Sequence, residues 1–245
     1  GTPIRLHHVY NNLGINETVR ENPSESKLIN ASKISGRTQK GLGIGILNAI
    51  TKPQYAVLEN SSTKETRKYQ TDPLTNYNLF VLDQSLKNNS SISLVNTNVW
   101  RSGSDYDANV TAALFSFNDK KNTWNASGKA AVSNLAGYDA PGETKTGYSQ
   151  QLSMGKTSGR FNFNVWQELT DTKFSSNDLG YFTNNNFLDH GFWMGYKWIE
   201  PKSFYNRIFL NLNGRYSKLF SPVAGLDQQY QQSSEGMGQD TSRYN

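Results

Sequence analysis

The sequence predicts an all-β chain, an antiparallel transmembrane β-barrel with about ten strands visible, on three observations. Apolar residues recur with a period of two rather than 3.6 wherever the pattern is long. The breaks between patterned windows alternate strictly between tight turns and longer, irregular connections. Most windows also reach the roughly 9 to 11 residues that a tilted membrane strand needs, against a globular mode of about 5 to 6.

The strands are predicted at 28–36, 41–51, 76–86, 91–100, 109–117, 123–134, 147–154, 160–170, 187–199 and 204–218. In the second, Leu42, Ile44, Ile46 and Ile50 alternate with Gly41, Gly43, Gly45, Leu47 and Ala49. In the third, Leu79 and Val81 oppose Phe80 and Leu82, so either both faces are apolar or the register shifts. The sixth sets Trp124, Ala126, Ala130 and Val132 against Asn125, Ser127, Lys129 and Ser133. The eighth sets Phe161, Phe163, Val165 and Leu169, interrupted by Gln167, against Asn162, Asn164 and Glu168. The last two carry Leu188, Phe192, Met194, Tyr196 and Trp198, then Ile208, Leu210, Leu212 and Tyr216 against Asn211, Asn213 and Arg215.

Tight turns at 37–40, 87–90, 118–122, 155–159 and 200–203 are rich in Asn, Gly, Ser or Pro, which tolerate or pre-set turn dihedrals. The longer connections fall at 60–71, 101–107, 137–146 and 171–185. Membrane barrels of the outer-membrane type divide their connections in this way, short on the periplasmic side and long outside. Residues 1–27 read as an irregular lead-in, 28–218 as the barrel strands, and 219–245 as a flexible polar loop or tail. The alternation stops after Tyr216, so the strands read as part of a larger barrel. The start at Gly1-Thr2-Pro3 reads as processed or truncated.

Composition agrees with this class. Apolar residues make up 35% and mean hydropathy is −0.69, far from the roughly 20 consecutive apolar residues of a spanning helix. A barrel passes that test because only every second residue meets lipid. Aromatics at 12% are plentiful for so polar a chain, which suits aromatic girdles or, as another reading, a secreted β-sandwich. The absence of cysteine excludes disulfides and zinc–thiolate sites. A net charge of +5 without a dense Lys/Arg run argues against a nucleic-acid partner.

If the strands span a bilayer, Ile44, Ile46, Trp124, Val132, Phe161, Phe163, Val165, Leu210 and Leu212 face lipid. Asn125, Lys129, Asn162, Asn164, Asn211 and Asn213 then face the lumen, because hydrocarbon offers an amide or ammonium no partner. Every tight turn also carries a cation: Arg37, Lys40, Lys87, Lys120, Lys121, Lys156, Arg160 and Lys202. Such a basic rim can meet anionic headgroups or an acidic partner, and simple solvation of turns accounts for it equally well.

Four segments carry a family resemblance: the run from Lys27 to Gly45, the run from Asn76 to Lys87, Asn96-Thr97-Asn98-Val99-Trp100-Arg101, and the turn from Gly155 to Asn162. Together, over roughly residues 25 to 220, the chain resembles the C-terminal barrel of a Bacteroidota-type outer-membrane family of uncharacterised function. Members commonly carry an N-terminal module similar to family-nine carbohydrate-binding domains, which is absent from these residues. The resemblance implies a bacterial outer membrane and brings no catalytic residues with it.

The remaining motifs have plainer readings. Gly155-Lys156-Thr157 lacks the upstream glycine spacing and following helix of a phosphate loop, and Gly41-Leu42-Gly43-Ile44-Gly45 sits within a strand. Those glycines fit a bend or close strand approach. Adjacent His7 and His8 would point to opposite faces, and His190 shares an apolar face, so no metal site is expected. Glu168, Asp171, Asp178 and Asp189 gather around one long connection, but sugar hydrolysis needs two carboxyls at a defined separation. Asn-Xaa-Ser/Thr triplets at Asn16, Asn30, Asn60, Asn88, Asn89, Asn109 and Asn125 follow from the high Asn content.

The function expected is that of a membrane barrel acting as channel, anchor or subunit of a larger outer-membrane assembly, without cofactor, catalytic or metal residues. Its partners would be outer-membrane lipid, other outer-membrane or periplasmic proteins, and glycans. A carbohydrate-handling protein with a sugar-binding or hydrolytic extramembrane part is the alternative.

Overall fold

The computed structural model describes residues 2–179 and 184–222. A single 3-10 turn at Tyr10–Asn12 precedes thirteen strands. In chain order these are β1 (Glu17–Glu21), β2 (Leu28–Arg37), β3 (Leu42–Thr51), β4 (Gln54–Asn60), β5 (Thr66–Asp72), β6 (Thr75–Ser85) and β7 (Ser91–Arg101). There follow β8 (Asp107–Asn118), β9 (Trp124–Ala136), β10 (Thr144–Lys156), β11 (Phe161–Thr170), β12 (Phe187–Trp198) and β13 (Ile208–Leu219).

Ten of them form one antiparallel sheet in the order β13-β12-β11-β10-β9-β8-β7-β6-β3-β2. These are the ten strands the alternation predicts, with ends shifted by a few residues. Strand β6 pairs with both neighbours without a bulge, so both of its faces are apolar. The sheet does not close on itself. Strands β2 and β13 are its edges, and β2 is exposed along its whole length.

Three strands lie outside the ten predicted ones. Strand β1 falls inside the lead-in, while β4 and β5 occupy most of 52–74, and together they make a separate sheet in the order β1-β4-β5. Its core is Val9, Ala56 and Leu58, each with no solvent exposure, packed by Leu13, Val19 and Tyr69. The turn between β4 and β5 is set by Asn60, whose Oδ1 accepts the N–H groups of Ser62 and Thr63 at 2.9 and 3.1 Å. This small sheet sits at the long-connection end of the large one. Ser26 donates to Asp72 at 2.6 Å, the Arg5 amide donates to the Thr71 carbonyl at 2.9 Å, and the Arg5 guanidinium pairs with Asp105.

The large sheet has two unlike faces. Paired residues share a face, so the register sorts side chains strictly. Ile44, Ile46, Trp124, Val132, Phe161, Phe163, Val165, Leu210 and Leu212 all lie on one face, and all but half-buried Phe163 are exposed. Asn125, Lys129, Asn162, Asn164, Asn211 and Asn213 all lie on the other.

The apolar belt crosses the strands obliquely. Its centre on β3 is Ile44, which aligns through Leu82, Leu94, Ala113, Ala130, Gln150, Leu169 and Leu188 with Lys218 on β13. On β13 the belt is instead centred on Leu210, eight positions before Lys218 and eight strand-to-strand steps from β3. A drift of one residue per strand is ~3.3 Å along the chain for every ~4.8 Å across it, an inclination of roughly 35°. The interruption of the β11 stripe at Gln167 is resolved by this drift. Gln167 pairs with His190, which pairs with Tyr216, on the long-connection side of the belt.

Candidate functional site

Apart from an apolar stretch at Leu47, Leu79, Val81 and Val95, the face opposite the belt is largely polar, and its polar side chains are tied into networks that span several strands. At the tight-turn end Arg37 reaches from β2 across β3 to pair with Asp83 on β6, whose other oxygen accepts from Ser93 at 2.8 Å. The path exists because Gly43 has no side chain, since a Cβ there would stand 3.0 Å from the Arg37 guanidinium. Toward β13, Arg215 pairs with fully buried Asp189 and lies 5.8 Å from the Trp166 ring, which fills the space left by Gly191. Asp189 Oδ1 and Asn162 Oδ1 are buried without a hydrogen-bond partner among the described residues.

At the long-connection end this polar face is covered. After β11 the chain turns back at Asp171, whose Oδ1 accepts the N–H groups of Lys173 and Phe174 at 2.9 and 2.7 Å. Residues 171–179 then cross β10, β9 and β8 toward β7. The Lys173–Phe174 backbone sits directly on Gly147, where any Cβ would collide with it. The Ser175 amide donates to Ser133 Oγ at 3.1 Å. Asp178 pairs with Arg101 at the end of β7 and accepts the Tyr106 hydroxyl at 2.8 Å. This pair is nearly sealed from water, with side-chain exposures of 2% for Arg101 and 10% for Asp178.

Tyr106 also packs edge-on to Tyr138 at 4.9 Å and lies under the Arg101 guanidinium at 4.3 Å. Burial, with the Asp178 carboxylate beside it, pushes the Tyr106 phenol well above its ordinary value. It stays protonated and works as a donor. The floor beneath this crossing segment is mixed. Val99, Ala108 and Leu135 form an apolar patch with Tyr77 and Tyr106, whereas Ser133, Ser149 and Thr170 are polar and buried. Ser149 and Thr170 satisfy one another at 2.9 Å.

The acidic quartet that gathers in the sequence is divided by the fold. Asp171 caps the turn and Asp178 holds Arg101, so both are structural. Glu168 and Asp189 are register partners across β11 and β12, but Asp189 is consumed by Arg215. His7, His8 and His190 are exposed and separate, and no group of three metal-ligating side chains occurs among the described residues. Gly155 and Lys156 end β10, and Gly41 is a turn residue with φ of +83°. The eight basic rim residues all fall at the tight-turn end. Arg37 and Arg160 pair there with Asp83 and Glu200. Among the described residues Lys40, Lys87, Lys120, Lys121, Lys156 and Lys202 form no ion pair. At the same end Asp119 accepts the Trp124 amide, which holds its carboxyl below the usual range. The sequence reading missed Arg101, Tyr106 and the crossing segment. The one available signal was Gly147, a glycine inside a strand, which marks close backbone approach.

The chain belongs to the family described as domain of unknown function DUF5916, whose model matches residues 1–244. No curated protein and no solved structure matches it.

Proposed function

We propose that this chain is the membrane-spanning part of a bacterial outer-membrane β-barrel, acting as channel, anchor or subunit of a larger outer-membrane assembly. The observation that carries the reading is the oblique belt. In water, an exposed apolar band of ten strands is a liability. In a bilayer it is required, and a flat slab crossing tilted strands must produce a drift. The inclination of roughly 35° lies within the range of membrane barrels. Trp124, Phe161 and Trp198 stand on the tight-turn side of the belt's centre, where an aromatic girdle belongs, and the basic turns lie beyond them.

The same reading requires more strands. A sheet edge in hydrocarbon leaves unpaired N–H and C=O groups, each costing several kcal/mol, so β2 and β13 pair with further strands. The polar face becomes the lumen wall.

Phe163 and Asn164 test the assignment because they are neighbours in β11 near the belt centre, on opposite faces. In full-length protein reconstituted in vesicles, Phe163→Arg is expected to cost about 2 to 4 kcal/mol of folding stability and Asn164→Arg much less. Equal costs in a urea titration would sink the membrane reading.

A further inference from the structure

We infer that a row of asparagines on the belt face is the contact surface for an uncharged, sugar-bearing lipid headgroup at the long-connection border of the bilayer. The inference rests on the barrel reading and names the lipid that this border takes.

The row is strict in register. Asn48, Asn78, Asn98, Asn109 and Asn134 pair in turn across β3, β6, β7, β8 and β9. Ser32 and Thr146 extend it onto β2 and β10. Asn48 shares its face with Ile44, and Asn134 shares its face with Val132, so the whole row lies on the belt face. No charged side chain stands in it. Asparagine is depleted from strands, so five side by side across a sheet are not there for the sake of the backbone.

Its depth follows from the belt. Asn48 lies four residues from Ile44, toward the long connections. At ~3.3 Å per residue and an inclination of roughly 35°, that is about 11 Å above the belt's centre, close to the half-height of a band about 25 Å tall. The row follows the register while the belt drifts away from it by one residue per strand. It therefore starts at the edge of the hydrocarbon on β3 and rises through the headgroup layer toward β9. A tall headgroup meets such a rise along its length.

The chemistry narrows the headgroup further. A phosphate only accepts hydrogen bonds and is matched by cations, which the tight turns supply at the opposite border. A sugar hydroxyl both donates and accepts, and each asparagine amide sets two donors beside an acceptor. Neighbours hold several of these amides in place. Asn48 donates to Asn76 and Asn78 at 2.6 and 2.8 Å, Asn96 donates to Thr111 at 2.8 Å, and Thr146 donates to Asn134 at 2.8 Å. Asn98, half-buried at the centre of the row, makes no side-chain hydrogen bond among the described residues, so its donors and acceptor are open to a ligand. Trp100 and Tyr148 stand exposed on the same face, two residues from Asn98 and Thr146. Rings so placed at a membrane border lie against headgroups.

The test reconstitutes full-length protein in vesicles of phosphatidylcholine, phosphatidylglycerol and the neutral digalactosyl diacylglycerol. The protein is then extracted gently, and the lipids it keeps are counted by mass spectrometry. Galactolipid is expected to be enriched about ten-fold over phosphatidylcholine, the equivalent of one to two hydrogen bonds. Asn98→Leu should lower that enrichment several-fold, and Asn98→Leu with Asn109→Leu should abolish it. Asn98→Ala removes the same amide with a smaller replacement, so misfolding of one variant leaves the other informative. Lys120→Gln with Lys121→Gln should leave galactolipid enrichment unchanged. Equal retention in parent and folded variants would overturn the inference, and so would phosphatidylglycerol as the lipid lost with Asn98. Displacement by soluble digalactosyl glycerol at equal potency would make the row a site for free sugar and overturn the lipid. Conversion of an oligomer to a monomer by Asn98→Leu, with galactolipid retained, would assign the row to a second copy of this chain. Unequal arginine costs at Phe163 and Asn164 without galactolipid enrichment would keep the membrane and discard the headgroup. Equal arginine costs would remove the bilayer, and this inference with it.

Discussion

The small and large sheets use the same alternation and place its apolar half in opposite environments. In β1-β4-β5, Ala56 and Leu58 point onto Val9 and are fully buried. In the ten-stranded sheet, Leu210 and Leu212 point away from the protein and are more than half exposed. Period two therefore reports that a strand has two faces, and not which medium meets the apolar one. That information resides in extent. Val9, Ala56 and Leu58 are covered by one short N-terminal segment, whereas no element of the described chain covers the belt.

The largest expected contrast concerns edges. The small sheet has edges too, but they meet water, which pairs with free N–H and C=O groups at little cost. The edges of the large sheet, if it lies in hydrocarbon, have no such recourse. Residues 1–245 alone are therefore expected to give no compact, heat-resistant species after refolding in detergent, with mobility on an unboiled gel as the measurement. A band that unfolds only on boiling, with β2 hydrogen-bonded to β13, would show that ten strands suffice.

A smaller contrast separates two leucines. Leu58→Ala opens a cavity in a closed core and is expected to destabilise the small sheet by about 2 to 5 kcal/mol. Leu212→Ala opens none, because lipid or detergent tails follow the receding surface, and should cost about 1 kcal/mol. Hydrogen exchange of the β4–β5 amides reads the first, and that of β12–β13 reads the second. Equal losses would mean that the belt is covered by something as well packed as a protein core.

These contrasts also explain what the sequence made legible. Strands β2, β3 and β6 to β13 are long, so their alternation repeats often enough to stand out, and the turns between them have strong Asn, Gly and Ser chemistry. Strand β1 offers one apolar residue, Val19, and β5 offers Tyr69. Their stability is borrowed from Val9 and Leu58, a tertiary effect that leaves no local period. The crossing segment 171–179 was invisible for a related reason. Asp178, Arg101 and Tyr106 are 77 and 72 residues apart in sequence, and only the sheet order brings β7 within reach of the chain after β11. The facing of Asn162 or Leu210, by contrast, follows from parity alone.

The smallest expected effect belongs to acid, and it should single out the small sheet. Glu17 accepts both the Nε and Nη2 of Arg67 at 2.7 Å and the Gly14 amide at 2.6 Å. The Arg67 hydrogen bonds first, and then the Gly14 amide, hold its carboxyl down at about 2 against an ordinary 4.5. A depressed folded-state value means that the unfolded chain binds the proton more readily. The stabilisation is therefore fully present above pH 4.5 and is lost as pH falls toward 2. Glu17 bridges β1 to β5 through this pair, whereas the backbone of β1 pairs within its sheet with β4 alone. Loss of the bridge should loosen the β1 end first. Exchange of the β1 amides is expected to quicken between pH 4.5 and 2, beyond the intrinsic pH dependence of exchange, while that of β9 and β10 does not. Glu17→Gln, which keeps a hydrogen-bond acceptor but removes the charge, should abolish that extra pH dependence. If the β1 amides of Glu17→Gln still quicken over the same range, another carboxylate sets the acid response of the small sheet.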